Sequence, residues 1–488
     1  MPATGRNLTL LTDFYELTMM RGYLKSQMAD RLVVFDLFFR KNPSGNGYAI
    51  TAGLAQVIEY IENLNFPEEE LAYLESTGSF DCEFIEELRN FKFTGEIFAV
   101  PEGTVVFPNE PLIRVKAPLF QAQLIETALL TIINHQSLIA TKAARVCWAA
   151  QGESVLEFGL RRAQGPDAGI YGARAAVIGG CSATSNVLAG RMFGAPIKGT
   201  HAHSWVMSFD DELTAFRQYA KYYPNACILL VDTYDTIRSG VPNAIKVFTE
   251  MKSQGEPLKN YGIRLDSGDL SYLSKIARRM LDAAGFKDAV ISASSDLDES
   301  LIAQLKLQGA CITVWGVGTN LITSEDCPSF GGVYKLASEI GESGIETPKI
   351  KLSENPEKIT NPGSKKIYRF YDKDSGKFKA DLIALESEIV DPDEDITIFD
   401  PVSTWKKSTL KAGAYKIRQL LEPIFVNGRL VYETPGVMEI QAYCKKELDT
   451  LWDEHKRLVN PQVCYVDLSQ KLFDLKEKMI RELREING

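Results

Sequence analysis

The amino-acid sequence predicts a mixed α/β fold whose centre is a barrel-like parallel sheet. The chain has 488 residues, which is too long for one ordinary hydrophobic core, so we expect two or three domains. Helical and strand patterns alternate along nearly the whole chain, as is typical of α/β proteins. Six apolar runs are each followed by a polar turn and a helical pattern, which is the pattern of successive βα units in a parallel barrel. These runs begin at residues 154, 198, 227, 261, 289 and 311.

The N-terminal part, predicted as residues 1–135, is expected to be an α/β domain with a small antiparallel sheet. Residues 32–41 are apolar and aromatic, and the loop sequence NPSGNG follows them, so we predict a strand and then a turn. Residues 54–64 and 68–77 place apolar side chains at helical spacing. Residues 95–118 consist of short β-rich pieces broken by Pro and Gly, which predicts the antiparallel sheet.

Two further domains follow in the prediction. The barrel is expected to span residues 136–345 and to hold the active site, because the chemistry of parallel barrels lies at the carboxyl ends of their strands. Residues 346–488 are expected to form a C-terminal extension that packs partly on the N-terminal domain. Its last segment, residues 467–486, has the amphipathic pattern of a helix that docks on another surface.

Composition and missing motifs exclude several functions. The formal net charge of −10 argues against a general binder of nucleic acid or anionic membranes. Neither an apolar run of about 18 residues nor a secretory signal is visible. The eight cysteines are scattered without a CxxC pair, which is typical of reduced cysteines in a cytoplasmic protein. The sequence also lacks the P-loop, strand-linked GxGxxG, HExxH and GxSxG motifs, so the corresponding enzyme classes are disfavoured.

Two of the four histidines, His201 and His203, are separated by one residue in GTHAHSW. On a strand they would point to the same face and could chelate a metal, but no further histidine lies between His203 and His455 to complete such a site. A structural role is a second interpretation. The third is a catalytic or nucleophilic histidine after a compact turn at Gly199 and Thr200.

Other polar clusters follow predicted strands. Arg161 and Arg162 could bind phosphate or carboxylate groups, or form surface ion pairs. Asp266 and Asp269 in RLDSGDL could hold ribose hydroxyls or magnesium, or cap the next helix. The small residues of GVGTN (316–320) would let backbone N–H groups approach a phosphate.

Taken together, these segments resemble the signature segments of nicotinate phosphoribosyltransferases. The matches occur in order and span most of the chain, so the set is specific although no single segment is. The resemblance implies a type II phosphoribosyltransferase fold, with an irregular α/β barrel, an N-terminal α/β domain and a C-terminal extension, in a homodimer with sites shared across the interface. The segments are TDFYELTM (12–19), FFRKNP (38–43), EFGLRRAQGPD (157–167), GTHAHS (199–204), VDTYDT (231–236), RLDSGDL (264–270), GVGTNL (316–321) and GGVYKL (331–336).

The resemblance also implies roles for individual residues. His203 is expected to be the histidine that ATP phosphorylates transiently, and Arg264 and Asp266 are expected to act beside it on the base and the ribose. Tyr15 is expected to reach the neighbouring subunit's site and cover a pyridine ring that stacks on Phe158. The remaining substrate contacts are expected at Leu160, Arg161, Asn186, Ser204 and Asp232, and the phosphate ligands at Arg40, Lys41, Gly316, Gly318, Thr319 and Lys335. The roles of Lys358, Lys365 and Lys366 are left open.

The implied reaction is ATP-assisted transfer of phosphoribosyl from 5-phosphoribosyl 1-diphosphate to nicotinate, which yields nicotinate mononucleotide for NAD biosynthesis. Mg²⁺ is expected to assist without a fixed protein site, and no nucleic-acid or membrane partner is expected. The main alternative substrate is nicotinamide. Asn186 stands near the position where nicotinamide enzymes use an Asp, and an Asp would repel a carboxylate substrate, so nicotinate is favoured. Quinolinate transferases, metal-dependent hydrolases and non-enzymatic nucleotide binders are weaker alternatives.

Overall fold

The structure is a computed structural model that describes residues 7–256, 258–400 and 403–487. Its helices are α1 Phe14–Lys25, α2 Leu54–Glu62, α3 Glu68–Ser76, α4 Cys82–Arg89, α5 Leu119–Leu124, α6 Glu126–Ala149, α7 Pro166–Ile178, α8 Val187–Phe193, α9 His203–Met207, α10 Glu212–Tyr222, α11 Val241–Ser253, α12 Leu270–Ala283, α13 Glu299–Leu307, α14 Thr319–Ile322, α15 Val437–Thr450, α16 Asp453–Lys456 and α17 Gln470–Asn487. Within the described residues, none of these helices is long and apolar enough to cross a membrane.

The strands are β1 Leu32–Phe39, β2 Ala49–Ile50, β3 Glu96–Ala99, β4 Val105–Val106, β5 Ile113–Pro118, β6 Ser154–Glu157, β7 Ala183–Thr184, β8 Cys227–Leu230, β9 Tyr261–Leu265, β10 Val290–Ala293, β11 Val314–Val317, β12 Gly332–Ile340, β13 Glu346–Pro348, β14 Lys365–Asp372, β15 Phe378–Leu385, β16 Ile396–Phe399, β17 Lys407–Leu410, β18 Tyr415–Gln419, β19 Glu422–Val426, β20 Arg429–Leu430 and β21 Val466–Leu468. The predicted strand at 32–41, the helices at 54–64 and 68–77, the β-rich segment at 95–118 and the terminal helix are confirmed.

The chain forms two compact units. The first unit contains Met1–Leu138, Ser329–Pro435 and Ala442–Gly488, and the second contains Ile139–Pro328 with Gly436–Gln441. The predicted barrel domain ended at residue 345, whereas the second unit ends its main segment at 328. The reason is that β12 pairs with β1 along its whole length, so it belongs to the sheet of the first unit.

The first unit is built on a seven-stranded sheet in the order β13-β12-β1-β5-β3-β19-β20. Its central strand β1 pairs antiparallel with both β12 and β5, and most of its side chains are buried. A second sheet has the order β18-β14-β15-β21. N-terminal and C-terminal strands therefore share one unit.

A buried ion network lies beneath the second sheet of the first unit. The guanidinium of Arg369 is 2.6 Å from Asp381 and 3.3 Å from Glu447, and these side chains are 1%, 0% and 6% exposed. The ring of Phe107 lies 5.3 Å from the same guanidinium. Burial and the Asp381 carboxylate raise the pKa of the adjacent Glu110 well above its ordinary value. The network therefore depends on Arg369 to compensate buried carboxylates.

The second unit contains a six-stranded parallel sheet in the order β7-β6-β11-β10-β9-β8. Except for β7 and β8, strands that follow one another in the chain are neighbours, and β11 pairs with β6. The sheet is open only between β7 and β8, so it forms an incomplete barrel within the described residues. The predicted α/β fold with a barrel-like parallel sheet is confirmed.

One predicted strand is wrong. The apolar run that begins at residue 198 forms a loop and the short helix α9, and the residue before it, Ile197, makes a parallel bridge with Thr184. The imidazole Nε2 of His201 accepts a hydrogen bond from the backbone N–H of Leu230 at 3.2 Å. The His201 side chain therefore supplies a hydrogen-bond acceptor at the open edge of β8, where a neighbouring strand would otherwise supply it.

Candidate active site

Three strands of the second unit end at one hydrogen-bond network, and Arg264 of β9 is its centre. Its Nε donates to the Ser294 hydroxyl at 2.9 Å, its Nη1 to Thr200 Oγ1 at 3.1 Å and its Nη2 to Asp266 Oδ1 at 3.0 Å. Ser294 also donates to the Asp266 carboxylate. The planar guanidinium is therefore fixed by three neighbouring loops.

Asp232 follows β8 and orients His203. Its Oδ2 accepts hydrogen bonds from the Asp266 backbone N–H at 2.9 Å and the Ser267 hydroxyl at 2.6 Å, and its Oδ1 lies 3.2 Å from His203 Nε2. The Asp232 side chain is 2% exposed, whereas that of His203 is 39% exposed. This arrangement combines a buried orienting carboxylate with an accessible imidazole, as in sites that use histidine as a base or nucleophile.

His201 has a structural role, as one of the interpretations from sequence proposed. Its ring is buried, packs against Tyr219 at a centroid distance of 4.6 Å and accepts the N–H of Leu230. Burial lowers the pKa of His201 to about 4, so the ring is neutral at physiological pH. The described residues contain no group of three His, Cys, Asp or Glu side chains suited to a metal ion.

Phe158 follows β6 and lies beside the network. The guanidinium of Arg264 is 5.9 Å from its ring centroid. A Cβ atom at Gly316 would lie 2.6 Å from this ring, so glycine there is explained by the close packing of Phe158. The preceding Glu157 is fully buried, accepts the Thr184 hydroxyl at 2.5 Å and has its pKa raised by burial. The hydrogen bond between Glu157 and Thr184 therefore helps to fix the backbone next to Phe158.

Several predicted site residues have other partners or none. Asn186 is buried, accepts the N–H of Ala189 at 3.1 Å as the cap of α8 and donates to Gly169 O at 3.0 Å. Both ends of its amide are thus used inside the protein, and its role in substrate choice stays a prediction. Asp269 caps α12 by accepting the Tyr272 N–H at 2.8 Å, as the alternative from sequence proposed. Arg161 and Arg162 are exposed and form no ion pair with any described residue. Leu160 and Ser204 are exposed as well.

The loop after β10 contains residues that the sequence did not indicate. Ser295 and Asp296 have φ values of 95° and 42°, which side chains other than glycine rarely adopt. Asn320 donates from its amide to Asp296 O at 2.9 Å and so holds this loop. Strained backbone of this kind concentrates at functional sites. Ser294, Glu157 and Asn320 were missed because single polar residues beside apolar runs carry no sequence pattern.

Tyr15 and Lys335 lie in the first unit, beside a pair of carboxyl groups. Gln123 donates from Nε2 to Glu16 and, at 3.2 Å, to Glu126, and the Tyr15 side chain lies near both carboxyl groups. Lys335 Nζ is 4.0 Å from Glu126. Burial, and then the charge of Glu16, raise the pKa of Glu126 to about 7. Tyr15 is half-exposed beside this cluster.

The other cationic candidates of the first unit differ in exposure. Lys365 is buried and pairs with Asp36 at 2.7 Å, which explains this lysine without a ligand. Lys41 is largely exposed and 3.5 Å from Glu357, and Arg40 lies over the ring of Phe38 at 5.6 Å. Arg40 and Lys41 stay predicted phosphate ligands.

Comparison with known proteins identifies the family. Residues 10–134 match the model of the nicotinate phosphoribosyltransferase N-terminal domain and residues 364–476 that of its C-terminal domain. The chain is 49% identical to nicotinate phosphoribosyltransferase of Bacillus subtilis, over 98% of this chain and 96% of that protein. The chain belongs to the nicotinate phosphoribosyltransferase family. It is also 33% identical to the family member of Homo sapiens, over 95% of each chain.

Solved structures agree with membership of this family. The crystal structure of human nicotinic acid phosphoribosyltransferase matches with a TM-score of 0.84 and 31% identity, covering 96% of this chain and 99% of that one. Nicotinate-nucleotide pyrophosphorylase from Pyrococcus furiosus matches with a TM-score of 0.68 at 22% identity, covering 91% and 96%. The second match concerns the fold alone.

The carboxyl pair predicts a pH effect on stability in this family member. Folding raises the pKa of Glu126 from 4.5 to about 7, so the folded chain binds a proton that the unfolded chain releases. The resulting stabilisation is complete below the unfolded pKa and is lost as pH rises through the folded pKa. We expect Glu126→Gln to gain Tm relative to the parent between pH 5 and pH 8, by about 2–4 °C for each kcal/mol. Thermal unfolding at several pH values measures this, with exposed Glu62→Gln as the control. Parallel pH profiles of parent and Glu126→Gln would contradict the assignment.

Proposed function

We propose that this chain transfers the phosphoribosyl group of 5-phosphoribosyl 1-diphosphate to nicotinate and releases nicotinate mononucleotide and diphosphate. The observation that carries the proposal is the network of Asp232, Arg264 and His203 at the carboxyl ends of parallel strands, in a chain with full-length relatives named nicotinate phosphoribosyltransferase. Nicotinamide is the alternative substrate, and the relatives named above do not favour it.

The proposed chemistry is displacement at the anomeric carbon. Positive charge grows on this carbon as diphosphate departs, while the pyridine nitrogen of nicotinate attacks. Phe158 offers a ring face for the pyridine, and Arg264 lies close enough to the Phe158 ring to meet an anionic group of a ligand stacked there. The three hydrogen bonds that fix Arg264 keep its charge in place before the reaction, which is the condition for electrostatic stabilisation without reorganisation.

Phosphate binding is proposed at both units. In the second unit we assign it to Arg161 and to the backbone from Gly316 through Gly318 to Thr319. Arg161 has no carboxylate partner among the described residues, so its charge is available to a ligand. Arg40, Lys41 and Lys335 are the proposed ligands in the first unit.

We propose that ATP phosphorylates His203. Asp232 lies beside Nε2, and with the proton on Nε2 the lone pair is left on Nδ1, which then attacks the γ-phosphoryl group. The added negative charge would order the loops around the site and tighten the binding of 5-phosphoribosyl 1-diphosphate. Hydrolysis of the phosphohistidine would then reset the site and release product.

Mg²⁺ is proposed to arrive with the diphosphate. Magnesium usually binds through substrate phosphates, water and one or two carboxylates, and the described residues offer no larger cluster. When bound, the ion neutralises charge on the leaving group. The network of Asp232 and Asp266 is the nearest source of protein carboxylates to Arg264.

A homodimer is proposed because α1 carries an exposed apolar surface. Phe14, Tyr15 and Met19 lie on it, with Leu11 just before the helix, and all four are exposed in the single chain. Such groups mark interaction surfaces. In the proposed dimer Tyr15 covers the pyridine ring in the neighbouring subunit's site. A cytoplasmic location is also proposed, since the cysteines are free thiols.

The proposed function is tested by product formation from 5-phosphoribosyl 1-diphosphate with nicotinate or nicotinamide, each with and without ATP. We expect nicotinate mononucleotide, formed faster with ATP and accompanied by ADP. Use of nicotinamide with no use of nicotinate would overturn the proposal, and it would also remove the predicted role of Asn186.

His203→Ala tests the ATP step. We expect loss of ATP hydrolysis and of the stimulation by ATP, with some ATP-independent transfer remaining, because the nucleophile is lost while Arg264 and Phe158 stay in place. Release of ADP and of nicotinate mononucleotide are measured in parallel. Asp210→Asn, an exposed change close to α9, is the matched control. Unchanged stimulation by ATP in His203→Ala would remove the phosphohistidine from the proposal.

A further inference from the structure

A cavity lies wholly in the first unit and shares no residue with the His203 network. It has a volume of about 510 Å³ and is bounded by β15, by the hairpin of β16 and β17, and by the segment from Trp452 to Asp467. Pockets that bind small organic molecules typically measure about 300–1,000 Å³. The cavity is therefore large enough for a ligand of nucleotide size.

The floor of this cavity is apolar and partly aromatic. Phe378, Ile398 and Leu410 line it and are buried. Trp452 also lines it, and its indole N–H donates to Phe378 O at 3.0 Å, which fixes the orientation of the ring. A flat apolar group would find ring contacts here.

Two buried polar side chains line the same cavity without a partner. Asp467 is 3% exposed, and no described residue donates a hydrogen bond to its carboxylate. His455 is 8% exposed, and its Nδ1 has no hydrogen-bond partner. Buried polar groups are nearly always hydrogen-bonded, so the Asp467 carboxylate is left to accept a hydrogen bond from a ligand. Burial and the neighbouring Asp400 raise the pKa of Asp467 to about 6, which leaves the carboxylate charged at pH 7 and above.

The remaining lining includes three lysines. Lys379 is compensated by Asp372 at 3.0 Å. Lys406 and Lys407 are exposed and have no carboxylate partner among the described residues, although the ammonium of Lys406 is 5.3 Å from the ring of Trp405. Two uncompensated cations next to an apolar floor suit an anionic group attached to a flat ring.

We propose that this cavity binds a nucleoside monophosphate, or an organic anion of the same chemistry. Its ring system lies on Trp452, the exocyclic amino group of the base donates to Asp467, and its phosphate pairs with Lys406 and Lys407. An aliphatic acid would leave the aromatic floor uncovered, and inorganic phosphate alone would leave Asp467 without a donor. The proposal is independent of the proposed catalytic function, since none of these residues belongs to the candidate active site.

The test is binding of AMP to the full-length protein, measured by calorimetry together with hydrogen exchange of residues 452–467. We expect protection of this segment by AMP and not by inorganic phosphate. The double variant Lys406→Ala/Lys407→Ala is expected to weaken this binding about tenfold or more, since two charge-assisted contacts are lost. Asp467→Asn is expected to weaken it as well, because the amide is a poorer acceptor.

Lys411→Ala is the control, because Lys411 is on the same hairpin and pairs with Asp395 outside the cavity. It is expected to leave AMP binding unchanged. Equal protection of residues 452–467 by phosphate alone would overturn the proposal. So would AMP binding that the double lysine variant leaves unchanged, or protection confined to the second unit. The lysine variant lies on an exposed hairpin, so it keeps the test decisive even where Asp467→Asn impairs folding.

Discussion

Replacing Arg264 with lysine is expected to lower kcat/KM for nicotinate mononucleotide formation by about 10²- to 10³-fold. Each tenfold change corresponds to about 1.4 kcal/mol, and hydrogen bonds to charged groups contribute about 1.5–3 kcal/mol each. The guanidinium donates to Ser294, Thr200 and Asp266 at once. A lysine ammonium keeps the charge but cannot reach three partners in one plane. The loss therefore comes from misplaced charge and not from missing charge.

Steady-state kinetics and thermal unfolding of the same protein separate this effect from misfolding. We expect Arg264→Lys to lower Tm as well, because the side chain is only 17% exposed and its three hydrogen bonds are lost. The kinetics are therefore compared at a temperature at which the unfolding curve shows the variant fully folded. Arg238→Lys is the matched control, since Arg238 is in the same unit and its side chain is 89% exposed. A loss of kcat/KM no larger than that of the control would show that the orientation of Arg264 is not used in the reaction.

The second large effect concerns stability. Replacing Arg369 with methionine is expected to lower the free energy of unfolding by about 3–5 kcal/mol, the usual result of removing one partner from a buried ion network. Asp381 and Glu447 would remain buried with their cation gone, and the rings beside Arg369 would lose their cation contact. Denaturant unfolding of the full chain measures the change.

Two variants test the physical reason for this loss. Lys411→Met removes the cation of the exposed pair with Asp395 and is expected to change the free energy of unfolding little, because exposed ion pairs contribute little to stability. Adding Asp381→Leu to Arg369→Met is expected to recover part of the stability, because one uncompensated carboxylate is removed. A loss in Arg369→Met as small as that in Lys411→Met would show that the buried network does not govern stability.

Much of the fold follows from local sequence patterns. Apolar runs gave the barrel strands that begin near residues 154, 227, 261, 289 and 311, and the polar residues at or after the ends of β8, β9 and β10 meet in one network. The two-residue strand β7 was missed because two residues show no periodicity. The loop of His201 was mistaken for a strand because a side-chain hydrogen bond to Leu230 takes the place of strand pairing.

The candidate site was only partly visible for a similar reason. Asp232, Arg264, Asp266 and His203 stand in segments with several polar residues, so their proximity could be predicted from strand order. Ser294 acts through contacts with Arg264 and Asp266, and Glu157 through a contact with Thr184, and all these partners are far away in sequence. Such contacts depend on strand register, which local patterns do not determine. The resemblance to a family assigned roles to the predicted residues, but it did not indicate Ser294 or Glu157.

The pairing of β1 with β12 has a consequence for synthesis of the chain. Leu32 is opposite Ile340. One of the two strands that pair with β1 is therefore synthesised only after the main segment of the second unit. The barrel strands pair only with one another and need nothing from later strands. Domains generally fold as units during synthesis, and long-range strand pairing is slow. The segment that carries the candidate catalytic residues is thus able to fold on the nascent chain before the unit that encloses it in sequence is complete.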